Sequence, residues 1–134
     1  MSHLKSLLRS LALGGLLLVP ATQANDALSV AYVHLNPPLV GNYDKGSSKL
    51  KFFKADIALR IQDDKKDLVK HHEPLIRDQL VMLFSQKSAE ELGSLEGKER
   101  IRKDALLRIQ QALQQEESHP LVDDLLFNNL VIQP

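Results

Sequence analysis

Residues 70–85, Lys-His-His-Glu-Pro-Leu-Ile-Arg-Asp-Gln-Leu-Val-Met-Leu-Phe-Ser, constrain this chain more than any other stretch. At about 100° per residue, Leu75, Ile76, Leu80, Leu83 and Phe84 share one arc of a helix, while Lys70, Arg77 and Asp78 lie opposite. Such a helix needs a layer to bury its apolar arc against. The only candidates are two apolar runs of strand character, residues 50–61 and 121–132. Burying five side chains of this size is worth on the order of 10 kcal/mol before conformational entropy is subtracted. A helix lying across a small sheet is therefore the frame into which the remaining elements must fit.

Residues 30–35 read as a first strand, stopped at Asn36-Pro37-Pro38 because proline gives no donor to a ladder; the two prolines keep Leu39-Val40 extended. Residues 41–48, rich in Gly, Asn, Asp and Ser, read as a turn or mobile loop. In the second strand Phe53, Ala55, Ile57, Leu59 and Ile61 alternate with a mostly polar set, so one face meets the helices and the other meets water. The last run, 121–132, carries apolar residues on both parities, which predicts a strand that is either central and covered on both faces or covered by another subunit.

Asp63-Asp64 is the expected cap of a helix over residues 65–85, with Pro74 inside it forcing either a kink or a first turn that ends just before it. Ser88 and Glu91 have capping-box spacing for a short turn closed by Gly93, and Ser94 caps a second long helix over 95–116. Ile101, Ala105, Leu106, Ile109, Ala112 and Leu113 form its apolar arc. Arg102 intrudes on that arc as a snorkelling side chain, and Leu107 projects out of it as an exposed leucine or a partner contact. The expected architecture is α+β: a three-stranded sheet with two long helices on one face, in the order β-β-α-α-β.

The 134 residues make one domain at most, with 17 basic and 17 acidic side chains, so no polyanion-binding character is present. Aromatic residues make up 4%, with no Trp, which leaves little for stacking on bases or sugars. Without cysteine there is neither disulfide, thiolate metal site, cysteine nucleophile nor lipidation site. Lys5 and Arg9, the apolar residues 11–19 and the small residues up to Ala24 match a secretory signal cleaved after Ala24, leaving a domain of residues 25–134. The alternative for residues 1–24 is a short uncleaved membrane anchor, although the apolar run is about half of the roughly 20 residues a spanning helix needs.

Catalytic chemistry has no foothold in the motifs: no Gly-x-Ser-x-Gly, phosphate-cradling glycine loop or dinucleotide fingerprint occurs. His71-His72-Glu73 invites a metal reading, but adjacent helical residues point about 100° apart, whereas a zinc helix needs its histidines four apart. His72 is a weak metal candidate; a half-buried, hydrogen-bonded imidazole accounts for it as well, and His34 and His119 are the partners that would have to converge on it. Glu73 and Arg77 are spaced to pair on the helix surface. Asp78 lacks an equivalent partner and is either a solvated charge or a recognition group.

Taken in order, several of these stretches resemble the flagellar basal body-associated protein FliL family. The resemblance is carried by Tyr32-Val-His-Leu-Asn-Pro-Pro-Leu-Val40, residues 52–61, Pro74-Leu-Ile-Arg-Asp78 with Leu83-Phe84-Ser85, Ala89-Glu-Glu-Leu92, Glu96-Gly-Lys-Glu-Arg-Ile-Arg-Lys103, Asp124-Leu-Leu-Phe127 and Val131-Ile-Gln133. It implies a non-enzymatic periplasmic domain of stomatin-like fold that self-associates into rings around the motor's stator units and supports torque, swimming and swarming. It brings no catalytic residues and no cofactor. Members usually carry an amino-terminal transmembrane helix, from which a cleaved leader here would depart. Arg77, Asp78, Leu107 and Phe127 are the candidate contact residues. The competing expectation is a soluble periplasmic binding module, metal-linked through His72 and unrelated to motility.

Overall fold

The computed structural model of the protein describes residues 14–18 and 29–133. Apart from 14–18, the leader reading for residues 1–24, with its cleavage after Ala24, lies outside the described residues. Four strands form one antiparallel sheet: β1 (Val30–His34), β2 (Leu39–Tyr43), β3 (Lys51–Gln62) and β4 (Val122–Gln133). The helices, α1 (Lys66–His71), α2 (Glu73–Ser85), α3 (Ala89–Gly93) and α4 (Leu95–Glu117), all fall between β3 and β4. The class is α+β, with α2 packed over β2 and α4 over β4.

The strand count differs from the three expected. The chain breaks at Asn36-Pro37-Pro38, resumes as β2 up to Tyr43, and lays β1 and β2 end to end along one edge of β3. The turn expected from residue 41 begins only at Asp44, because Gly41 is a strand residue with a packing function. A Cβ on Gly41 would sit 2.8 Å from Cε1 of Phe53. Its absence makes room for the ring that stacks on Phe84 at 4.4 Å between centroids, in the centre of the core.

β3, not β4, is the central strand, and β4 pairs along its other edge. The doubly apolar pattern of β4 comes from two register shifts, where Asp123 and Asn128 are extra residues without partners on β3. Each bulge flips the parity, so that Val122, Leu125, Phe127, Leu130 and Ile132 all face the helices opposite Ile61, Leu59, Ile57, Ala55 and Phe53.

The helix expected over residues 65–85 is two helices meeting at His72. Of the two outcomes anticipated for Pro74, the early stop occurs. Proline falls in the first turn of α2, where a missing N–H costs nothing. Asp63 and Asp64 do not cap by side-chain hydrogen bonds; they sit in a 3-10 turn, Asp63–Lys65, placing acidic charge just ahead of α1. The Ser88–Glu91 capping box opens α3, and the Ser94 hydroxyl accepts from Gly97 N–H at 3.0 Å to open α4. Ile101, Ala105, Ile109 and Leu113, buried at four-residue spacing, fasten α4 to the sheet.

Candidate interaction surface

The first functional candidate lies where α4 meets the outer edge of β4. Arg102, five residues beyond the buried Gly97, sends its guanidinium around the rim of the sheet rather than into water. It donates to both oxygens of Glu99 (2.8 and 2.6 Å), to Oδ1 of Asp124 (2.6 Å) and to the Leu125 carbonyl (3.3 Å). Asp124 Oδ1 in turn accepts from the Leu125 N–H at 2.8 Å. The hydrogen bonds to Arg102 hold the Glu99 carboxyl below its usual range, and those to Glu99, with the Asp124 charge, push the guanidinium upward. The intrusion of Arg102 on the apolar arc is therefore a weld between helix and strand. Beside it, Leu95, Lys98, Leu126 and Phe127 line a depression of about 270 Å³.

The second candidate is the sheet face turned away from the helices, which has no covering layer among the described residues. The register sets Val40, Lys54 and Val131 in one row across it, with Asn42, Phe52 and Gln133 beside them. His34, Ala58 and Leu126, then Tyr32, Arg60 and Asp124, form rows toward the other end. Val40, Phe52 and Val131 are 60%, 44% and 46% exposed, and with Lys54 they border a depression of about 490 Å³. Strand alternation dictates a polar outer face, so apolar side chains clustered there call for an explanation that folding does not supply.

The residues singled out by sequence do not converge on one site. Arg77 donates to Glu73 (3.0 Å) and to the Pro37 carbonyl (2.6 Å), bracing the β1–β2 break against α2. Asp78 is exposed on α2. Leu107 is 55% exposed on α4. Phe127 is half-buried, edge-on to Phe84 at 5.8 Å, and shows only its flank to the depression beside Arg102.

The His72 imidazole lies 2.5 Å from Glu117, tying the α1–α2 junction to the end of α4. His34 is on the far face of the sheet, and His119 Nδ1 accepts from the Leu121 N–H. Among the described residues no three His, Asp or Glu side chains are grouped to hold a metal.

Two features escaped sequence reasoning. The exposed row Val40–Lys54–Val131 becomes visible only once the Asn128 bulge fixes the parity of β4. Gly97 gave a signal in the Glu96-Gly-Lys-Glu motif but not its meaning: a Cβ there would lie 2.0 Å from the Glu91 carbonyl oxygen, so glycine permits the contact of α3 with α4. At the same junction the Ser88 N–H donates to Glu91 and holds that carboxyl below its usual range.

No helix among the described residues is long and apolar enough to cross a membrane. No curated protein sequence matches this chain. A family model, that of the flagellar basal body-associated protein FliL, matches residues 32–133, from the middle of β1 to the last residue of β4. The match takes in every strand, the breaking prolines, the Pro74 helix and the Gly97 contact, and the chain belongs to the flagellar basal body-associated FliL family.

Proposed function

We propose that this chain is a non-enzymatic, self-associating component of the periplasmic side of the flagellar basal body, where it supports flagellar rotation, swimming and swarming by contact with motor or stator proteins. Residues 25–134 form the working domain, and residues 1–24 serve as its export signal or as a short anchor. The observation that carries this reading is the family match from residue 32 to 133. It is supported by the apolar side chains the fold leaves in water: Leu95 and Leu107 at separate points on α4, and Val40, Phe52 and Val131 on the open sheet face.

Deleting the gene and measuring swimming and swarming tests the role, with slower spreading in both expected. Unchanged motility in a strain without a second copy of the family contradicts it. Complementation separates contact from folding. Leu107→Asp is expected to fold normally and to restore motility poorly, because an exposed leucine can accept a charge without burying it. Leu80→Asp, at a fully buried position, is expected not to fold at all. Full rescue by Leu107→Asp removes that residue from the contact surface.

A further inference from the structure

The outer edge of β4 is finished differently along its two halves. Along the first half of β4, outward-directed backbone groups are taken by side chains: the Val122 carbonyl accepts from Gln110 at 2.8 Å, and both backbone groups of Leu125 are held by Arg102 and Asp124. Beyond Leu125 no such cover exists among the described residues. Protein edges are ordinarily blunted in this manner, so the unblunted half is the informative one.

The direction of its backbone groups follows from the register. The Ile57 carbonyl accepts from Leu35 N–H at 2.9 Å, so odd-numbered residues of β3 address β1 and β2, and even-numbered ones address β4. Leu130 and Ile132, opposite Ala55 and Phe53, therefore direct their N–H and C=O groups outward. On the other edge Val40 and Asn42, opposite Lys54 and Phe52, do the same. The two sets lie at the same height on the sheet, since Val40 and Val131 both neighbour Lys54.

We infer that a second copy of this chain docks here, the edge of β2 in one copy against the second half of β4 in the next, so that the sheet continues from copy to copy. The inference rests on the self-association proposed above and assigns it a surface. Opposite edges of one sheet carry both halves of the contact at one height, so no other protein is needed to complete it. β2 and β4 both run antiparallel to β3, so a head-to-tail join between copies pairs them in parallel.

The join brings Val131 of one copy beside Val40 of the next and takes the facing flanks of both exposed valines out of water. It also sets the half-buried Leu130 and Ile132 against the cavity of about 460 Å³ between β2 and α2, where Gly41 and Val81 lie. Because the contact is heterologous it repeats, closing into a ring or continuing as a filament.

The absence of cysteine gives a clean background for the test. Neighbouring strand residues have Cα atoms about 5 Å apart, within the span of a disulfide. In the full chain under mild oxidation, Val40→Cys/Val131→Cys is expected to give a ladder of linked dimers, trimers and higher species. Either single variant is expected to stay unlinked, and an equimolar mixture of the two to stop at dimers. Dimers from Val131→Cys alone would mean that two β4 edges meet, which overturns the inference.

An unlinked double variant that still sediments as an oligomer also overturns it, while leaving self-association intact through another surface. Sedimentation of the unsubstituted chain as a monomer throughout would overturn self-association itself, and the inference with it.

Discussion

At Gly97 a single missing carbon holds two helices together. Alanine favours helix by about 1 kcal/mol over glycine, so propensity alone makes Gly97→Ala stabilising. The added Cβ would instead meet the Glu91 carbonyl oxygen at 2.0 Å and force α3 off α4. Overpacking of this kind costs about 1–3 kcal/mol, and a loss of that size in a denaturant melt is expected. An unchanged or raised midpoint would mean that the two helices are not in close contact.

Glu91 adds a pH dependence at the same junction. Its carboxyl is lowered chiefly by the Ser88 N–H bond, so its contribution is complete above the usual carboxylate range and is lost as pH falls through the lowered folded value. The stability gap between the native chain and Glu91→Gln is therefore expected to shrink as solutions are acidified below about pH 4. A constant gap from neutral to acid would contradict the Ser88–Glu91 bond.

At the scale of elements, what could be read in advance was whatever depends on neighbours in sequence. The Ser88 and Ser94 caps, the alternation of β3 and the arcs of α2 and α4 are all local patterns, and all are present. β4 resisted, because a bulge is decided by its partner strand: nothing in Asp123-Asp124 or Asn128-Asn129 says which residue is left unpaired. The division of the first strand into β1 and β2 was half legible, since Pro37 and Pro38 mark the break but not the return to the same edge of β3.

The Arg102 weld is likewise tertiary, with its helix partner three residues away and its strand partner 22. Its side chain is 23% exposed and that of Asp124 35%, so after solvent screening the pair is worth only about 0.5–1 kcal/mol. A double-mutant cycle with Arg102→Met and Asp124→Asn is expected to return a coupling of that order. Strict additivity would place the two side chains out of contact.

For the molecule as a whole, the layer order and the family were legible because the family's motifs coincide with the features that build the fold: the breaking prolines, the first-turn Pro74 and the close approach at Gly97. The proposed contact surface was not, since exposure of Val40, Phe52 and Val131 is a property of the assembled sheet. The same assembly spends Arg77 on bracing and His72 on Glu117.

What remains outward is an unsealed strand edge at each side of one sheet and apolar side chains beside them, and the proposed joining of copies rests on these features. Sedimentation equilibrium of the purified chain over a wide concentration range measures that property directly. Species larger than a dimer, growing with concentration toward a defined limit, are expected; a single monomer mass at every concentration would contradict it.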